Sequence, residues 1–200
     1  MQVIIFDVGN VIIKATHEIT MRILGEYGVP EQRRGKFFDN PDYDVYSRGM
    51  MTSREFYNRL VETHLKFPLK YEQIVRAHDE HMYAVDSGVA GILEKLWGSG
   101  RELAFLTDTN EWQTRREKEM VNLAKYSEKI FRSHETHFLK TDEGCFEHVI
   151  KELGGDPASL LLVDDSPEKI EMARKHGLQT IQFLSAEQLA SSKLEKAFKT

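Results

Sequence analysis

The sequence predicts an α/β protein with a Rossmann-like three-layer core built on a parallel sheet, plus an inserted all-helical subdomain. Strand-like apolar runs alternate with amphipathic helical patterns through most of the chain, which is typical of parallel strands joined by helical crossovers. The run Leu160–Asp164 (LLLVD) is almost continuously hydrophobic, as expected for a strand covered on both faces. Residues 16–85 interrupt the alternation and show only helical patterns.

The predicted core consists of five strands and five helices. The strands are Gln2–Phe6, Glu102–Thr107, Lys129–Arg132, Leu160–Asp164 and Leu178–Phe183. Helical spacing of apolar residues is found in Val89–Trp97, Glu111–Tyr126, Cys145–Leu153, Glu168–His176 and Ala186–Phe198. Ser166 followed by Pro167 is a favourable helix start, because serine caps the first turn and proline suits the first helical position.

The inserted segment has its own helix signals. Ile19, Ile23 and Tyr27 recur at a spacing of four residues, and Thr52 with Glu55 forms a capping box that opens a further helix. The alternative is a helix-rich part of the core itself, but about seventy residues exceed a simple crossover. We therefore expect a core domain of residues 1–14 and 86–200 and a helical cap of residues 15–85.

Composition limits the classes of function. The chain has 200 residues, 40% of them hydrophobic, and a formal net charge of -5, which argues against a nucleic-acid partner or an anionic membrane surface. No apolar run is long enough to span a membrane. Cys145 is the single cysteine, so no internal disulfide forms, which suits a reducing compartment. We expect a soluble, cytoplasmic protein, and the sequence leaves its oligomeric state open.

Polar side chains follow the predicted strands. The first strand ends in Asp7, the second in Thr107–Asn110 (TDTN), and the Leu160 strand in Asp164 and Asp165, while Lys140 lies in a loop before a helix. Ligands of open parallel sheets bind beyond the carboxyl ends of the strands, so these groups are expected to converge. Taken singly, each of them could simply cap the following helix.

These motifs resemble those of the haloacid dehalogenase-like superfamily, most of whose members are phosphatases with a helical cap inserted after the first strand. The segment FDVGNVI matches the first motif, with Asp7 as nucleophile, and LTDTN matches the second, with Thr107 as the phosphate-binding hydroxyl. Lys140 takes the place of the third-motif lysine, although Thr141 stands where proline is common. The fourth motif, LLLVDDSPEKIEMARKHG, is the most specific.

The resemblance implies a small phosphorylated metabolite as substrate and Mg²⁺ as cofactor, since hard divalent cations prefer oxygen ligands. The implied metal ligands are Asp7, the backbone carbonyl of Gly9, Asp165 and Asp164. Lys140 would neutralise phosphoryl oxygens and keep Asp7 ionised. The implied phosphate or substrate contacts are Thr107, Asp108, Asn110, Lys140 and Arg48.

A narrower resemblance points to the alpha-D-glucose-1-phosphate phosphatase branch of the superfamily. It rests on the Gly-Asn pair after Asp7, on TN in the second motif and on the FEHVI helix. In that branch SRGMMTSREF would be the part of the cap that faces the substrate, with Arg48 as the contact. An exposed turn arginine is an equally good interpretation of Arg48.

Gly9 departs from the pattern of the superfamily, which usually has a second Asp two residues after the nucleophile. That Asp protonates the leaving group and activates water, and a positioned acid/base contributes roughly 10²–10⁴ in rate. We therefore predict slow or substrate-restricted turnover. His81, His17 or Asp44 could substitute for it, and the sequence does not rank them.

Two other functions remain open at this stage. A non-catalytic phosphate-binding protein could have kept the fold, but it would have no need of the nucleophile Asp7. Carbon–halogen hydrolysis is disfavoured by the pair Asp164 and Asp165, because that chemistry uses no metal. His134 and His137 lie in a predicted loop and are interpreted as solvated polar residues rather than zinc ligands.

Overall fold

The structure, a computed structural model, describes residues 3–192 and residue 194. The strands in this part of the chain are β1 (Val3–Phe6), β2 (Ile13–Ala15), β3 (Met82–Val85), β4 (Glu102–Thr107), β5 (Ile130–Arg132), β6 (Leu160–Asp164) and β7 (Gln179–Gln182). The helices are α1 (His17–Glu26), α2 (Glu31–Arg34), α3 (Pro41–Ser47), α4 (Ser53–Arg59), α5 (Tyr71–Asp79), α6 (Ser87–Gly98), α7 (Glu111–Met120), α8 (Ser133–Thr136), α9 (Glu143–Glu152), α10 (Pro167–Lys175) and α11 (Ala186–Ala190).

Five strands form one parallel sheet in the order β5-β4-β1-β6-β7. The central strand β1 pairs with β4 on one side and with β6 on the other. Its four residues VIIF are all buried, because helices cover both faces of the sheet. The predicted parallel α/β core is confirmed.

The side chains of β1 alternate between two apolar clusters. Ile4 and Phe6 belong to a cluster that includes residues of α6 and α11, whereas Val3 and Ile5 belong to one that includes residues of α9 and α10. This alternation follows from the period of two in a β-strand. The resulting order of helices, sheet and helices is the predicted three-layer core.

The helices α1 to α5 bury a third apolar cluster of their own, which includes Leu24, Phe56 and Ile74. Helix α4 begins at the predicted capping box, in which the Thr52 side chain accepts from the Glu55 N–H and the Glu55 side chain accepts from the Thr52 N–H. We propose the domain division that the sequence suggested, with residues 15–85 as the cap.

An antiparallel ribbon connects the two parts of the chain. Strands β2 and β3 pair with Ile13 opposite Val85 and Lys14 opposite Ala84. The expectation of no strand in residues 16–85 is therefore wrong for β3. Met82 is buried, Tyr83 is exposed and the other two residues are half-buried. The partner strand is remote in sequence, so the pairing that defines β3 is not visible in a local pattern.

Two other segments differ from the prediction. The helix expected over Glu111–Tyr126 ends at Met120, and Val121 is extended with φ -146° and ψ 139°; β-branched Val121 and the following asparagine are weak helix formers. The segment that carries His134 is a single helical turn rather than a loop. Gln2 of the first predicted strand and residues 193 and 195–198 of the last predicted helix lie outside the described residues.

Among the described residues, no helix combines the length and the apolar character that crossing a membrane requires.

Candidate active site

Three adjacent strands deliver polar side chains to one edge of the sheet. Asp7 directly follows β1, Thr107 ends β4 and Asp164 ends β6. All three residues are buried. Because these strands are neighbours in the order β4-β1-β6, the predicted convergence at the carboxyl edge follows from the topology.

Backbone hydrogen bonds fix the orientation of Asp7. Its N–H donates to the carbonyl oxygen of Val163 at 2.9 Å, which continues the pairing of β1 with β6 by one residue. Its carboxylate atom Oδ1 accepts the N–H of Val8 at 2.6 Å. The nucleophile candidate is therefore held by the sheet itself rather than by a mobile loop.

Lys140 places its ammonium group between two buried carboxylates. Its Nζ lies 2.8 Å from Asp7 Oδ1 and 2.6 Å from Asp164 Oδ2, and it donates to the carbonyl oxygen of Leu106 at 3.4 Å. An ammonium group has three N–H donors, and each has an acceptor here. The side chain of Lys140 is 0% exposed, a burial that is tolerable only because the charge is paired.

Burial and charge act in opposite directions on this group. Burial raises the pKa of Asp7 to about 7, although the charges of Lys140 and Lys169 lower it. Burial would lower the pKa of Lys140, but the charges of Asp7 and Asp164 outweigh it and hold the pKa above its ordinary value. The lysine therefore stays protonated, and its single positive charge is shared between two carboxylates.

The remaining negative charge suits a divalent cation. Asp7, Asp164 and Asp165 each offer one carboxylate oxygen, and these atoms lie within 4.8 Å of one another. Burial and the charge of Asp164 raise the pKa of Asp165, as expected for carboxylates gathered without enough positive charge. Three oxygen donors of this kind fit a hard cation such as Mg²⁺.

A cavity of about 580 Å³ opens beside Asp7. Its lining includes Asp7, Gly9, Asn10, Thr16, His17, Glu18, His81, Asp108, Gln113, Asp165 and Lys169. A volume of this size accommodates a small metabolite. Hydroxyl, amide, carboxylate and imidazole groups dominate this lining, so the cavity is suited to a polar ligand.

Lys169 is a second lysine of the site, and the sequence reasoning missed it. Its Nζ lies 2.9 Å from Asp108 Oδ2, while Asp108 Oδ1 accepts the backbone N–H of Lys140 at 2.8 Å. Burial opposes ionisation of Asp108, but Lys140 and Lys169 hold its pKa below the usual value. A signal was present, because a lysine in the first turn of a helix is disfavoured by the helix dipole.

Gly9 and Asn10 form the turn after the nucleophile. Asn10 has a positive φ of 55°, and its Oδ1 accepts the N–H of Ala15 at 3.0 Å. Asparagine tolerates this conformation better than most residues. A Cβ atom added at Gly9 would meet no other atom within 4 Å, so steric crowding does not require glycine there.

The second-motif residues are divided between the cavity and the helix that follows. Thr107 is buried and lines a small pocket together with Gly9 and Asp108. Asn110 caps α7, since its side chain accepts the N–H of Gln113, and its amide donates to the Tyr43 hydroxyl at 3.4 Å. The role of Asn110 in substrate binding stays a prediction.

Arg48 does not line the cavity beside Asp7. Its guanidinium forms a two-point ion pair with Asp142, at the start of α9, with one Nη2–Oδ1 distance of 3.0 Å. The carbonyl oxygen of Arg48 also lies 2.7 Å from His137 Nδ1. Arg48 thus connects the cap helices with the segment that carries Lys140. Its contact with substrate stays a prediction.

The three acid/base candidates are placed differently. His17 and His81 both line the cavity with Asp7, whereas Asp44 does not. Asp44 lies in α3, at the end that precedes Arg48. Trp112, in the first turn of α7, packs in the apolar cluster of the cap helices.

Comparison with known families decides the classification. The sequence profile of the haloacid dehalogenase-like hydrolases matches residues 4–183. The chain belongs to this family. The matched range includes Asp7 and Asp164, which the structure places at the carboxyl edge of the sheet.

Solved structures of the family share this fold. A family enzyme from Bacteroides thetaiotaomicron, in complex with magnesium and inorganic phosphate, aligns with a TM-score of 0.81 and 22% identity over 91% of this chain and 93% of its own. A family hydrolase from Porphyromonas gingivalis aligns with a TM-score of 0.81 and 20% identity over 100% and 98%. A dehalogenase aligns with a TM-score of 0.68 and 16% identity over 95% and 96%. At these identities the likeness concerns the fold.

Proposed function

We propose that the protein is a Mg²⁺-dependent phosphatase of small phosphorylated metabolites. The observation that carries this proposal is the arrangement of Asp7, fixed at the end of the central strand, paired with Lys140 at 2.8 Å and clustered with Asp164 and Asp165. The proposed nucleophile, the ammonium group of Lys140 and the carboxylates that would bind the metal thus lie in one place. The Bacteroides enzyme with magnesium and phosphate supports the same conclusion.

In the proposed reaction a carboxylate oxygen of Asp7 attacks phosphorus and forms an aspartyl-phosphate, while the bond from phosphorus to the leaving oxygen breaks. Water then attacks the phosphorus and releases inorganic phosphate and the Asp7 carboxylate. Phosphoryl transfer depends mainly on positioning and charge stabilisation. Lys140 supplies positive charge beside the transferred group, and Thr107 supplies a hydroxyl donor.

The metal would be held by Asp7, Asp164 and Asp165, with the Gly9 carbonyl as a further ligand. When bound, Mg²⁺ would neutralise the negative charge of the phosphoryl oxygens. Asp108 keeps Lys169 at the cavity through the ion pair at 2.9 Å. We propose that this second lysine faces the phosphate as well.

We further propose that the leaving group is a small alcohol rich in hydroxyl groups, such as a sugar. The cavity offers Thr16, Glu18, Asn10 and Gln113 as hydrogen-bonding side chains, and no arginine is among the described residues that line it. A leaving group with a second phosphate would find little positive charge there. The narrower resemblance to glucose-1-phosphate phosphatases agrees with this substrate class.

Hydrolysis of a panel of phosphorylated metabolites, with Mg²⁺ or with a chelator, tests the proposal. We expect Mg²⁺-dependent release of phosphate by the wild type, most of all from sugar phosphates, and its loss in Asp7→Asn. Asp39→Asn is the matched control, because Asp39 is an exposed carboxylate that pairs with Lys36. Phosphate release by Asp7→Asn at the wild-type rate would refute the assignment of Asp7 as the nucleophile. Release of halide from haloacids, without release of phosphate from any substrate, would favour a dehalogenase.

A further inference from the structure

Gly9 and Asn10, the turn residues that follow the nucleophile and Val8, cannot handle the protons of the proposed reaction. Gly9 has no side chain, and the side chain of Asn10 is used in the turn, where its Oδ1 accepts the N–H of Ala15. A side-chain amide also neither gains nor loses a proton as an acid or base near neutral pH. Protonation of a poor leaving group therefore requires a group from elsewhere in the cavity.

The ribbon that follows this turn brings two histidines to the cavity. The N–H of Thr16 donates to the carbonyl oxygen of His81 at 3.0 Å, which extends the pairing of β2 with β3. As a result His17 and His81 lie side by side, with ring centroids 6.2 Å apart. Both line the same cavity as Asp7 and Gly9.

His81 is held in its neutral form. Its Nδ1 donates to the carbonyl oxygen of His78, and its Nε2 lies 3.4 Å from the Gln113 amide nitrogen, which leaves it the acceptor role. The residue is 2% exposed, and burial lowers its pKa to about 3. Both ring nitrogens are occupied, so His81 is a poor proton carrier at neutral pH.

His17 has the properties that His81 lacks. Its ring is accessible and stacks on Phe38 with a centroid distance of 3.7 Å and an interplanar angle of 9°. The stacking orients the ring, while its nitrogen atoms point within the ring plane and stay free of the aromatic contact. Within the described residues, neither of these nitrogens makes a hydrogen bond to protein. Partial burial lowers its pKa from the usual value.

We propose that His17 is the proton carrier of this active site and replaces the side chain that Gly9 lacks. The inference rests on the proposed phosphatase function. In the first step, as Asp7 attacks phosphorus, the imidazolium of His17 gives its proton to the leaving oxygen, which departs as an alcohol. In the second step, neutral His17 takes a proton from the water that attacks the aspartyl-phosphate, and the bond between Asp7 and phosphorus breaks.

Several titratable groups lie near the imidazole. Glu18 follows it on the same helix, His78 and His81 interact with it electrostatically, and Asp7, Asp108, Asp165 and Lys169 line the same cavity. Because the first step needs the protonated ring, kcat/KM for a poor leaving group falls as pH rises through the pKa of His17. In the variant His17→Gln this fall of kcat/KM with rising pH should be absent.

The dependence on the leaving group tests the role directly. The variant His17→Gln is expected to slow hydrolysis of an alkyl phosphate by about 100-fold or more and that of p-nitrophenyl phosphate only a few-fold, because p-nitrophenolate leaves without a proton. His148→Gln, a histidine on α9 that does not line the cavity, should leave both rates unchanged. An equal loss on both substrates would overturn the proposal and indicate a structural role.

A second variant separates this inference from the phosphatase proposal. Gly9→Asp fits sterically and supplies the carboxyl group that the family pattern has there. It is expected to restore alkyl phosphate hydrolysis in the His17→Gln background at least tenfold. Failure of this rescue, with p-nitrophenyl phosphate still hydrolysed through Asp7, would overturn the role of His17 alone. If Asp7→Asn hydrolysed p-nitrophenyl phosphate as fast as the wild type, the proposed phosphatase function itself would be refuted.

Discussion

At the scale of single residues, the site depends on the charge of Lys140. One buried ammonium group serves Asp7 and Asp164, and no solvent reaches it. Removing one partner of such a buried group leaves the others without compensation, which costs more than the pair itself contributes. We propose that the same lysine stabilises the fold and holds Asp7 in place as the nucleophile.

Replacing this lysine therefore has two expected effects. Lys140→Met should abolish measurable phosphate release and lower the free energy of unfolding by about 3–5 kcal/mol without metal. Mg²⁺ should recover part of the stability, because it supplies positive charge to the same carboxylates. Urea unfolding with and without Mg²⁺ measures this. Lys151→Met, on the exposed side of α9, is the control, and a Lys140→Met protein as stable and as active as the wild type would contradict the account.

The residues of the site were not equally visible in the sequence. Asp7, Thr107 and Asp164 were predictable, because each follows a strongly apolar strand and strand ends converge in a parallel sheet. Lys169 had a weaker signal, its unfavourable place in the first turn of a helix, and that signal does not identify its partner. Its neighbour in space, Asp108, is sixty-one positions away in sequence, and a pairing of this kind depends on the strand order, which brings the ends of β4 and β6 to the same edge of the sheet.

At the scale of elements, the ribbon of β2 and β3 and the contact of Arg48 with Asp142 link the cap helices to the sheet edge. The strands of the parallel sheet were predictable from their apolar runs in the sequence. Strand β3 was not, because its residues gain their structure from pairing with the remote segment Ile13–Ala15. The end of α7 at Met120 was likewise decided locally, by residues with weak helix propensity.

The ion pair between Arg48 and Asp142 is expected to hold the cap against the core. Both side chains are about one quarter exposed, so a double-mutant cycle with Arg48→Ala and Asp142→Ala should give a coupling energy of about 1 kcal/mol. Urea unfolding of the four proteins measures it. A coupling energy of zero would contradict this role, and a large rise in KM for Arg48→Ala alone would instead favour the substrate contact inferred from the sequence.

At the scale of the whole molecule, three apolar clusters support the fold, two on the faces of the sheet and one within the cap helices. The cap cluster has His78 beside it, with 0% exposure. Within the part of the chain that the structure describes, its Nδ1 has no hydrogen-bond partner, and its Nε2 lies 3.4 Å from the Tyr43 hydroxyl. Burial and the charge of Arg115 lower the pKa of His78 to about 3.

This buried histidine makes stability depend on pH. The unfolded chain binds a proton on His78 below its ordinary pKa of 6.5, whereas the folded protein binds it only near pH 3, so stability is lost as pH falls through this window. His78→Phe keeps an aromatic ring and removes the proton site. Its free energy of unfolding should therefore fall less on acidification, by roughly 2 kcal/mol between about pH 6.5 and pH 4.5. Parallel curves for variant and wild type would contradict the assignment.

The central claim is that Asp7 becomes phosphorylated during turnover. Its most direct measurement is an acid quench of the enzyme turning over a phosphorylated substrate with Mg²⁺, followed by borohydride reduction, which converts an aspartyl-phosphate to homoserine, and mass spectrometry of the peptides. We expect homoserine at position 7, and none without Mg²⁺ or in Asp7→Asn. Steady phosphate release with position 7 unmodified, or modification of another carboxylate, would contradict the account.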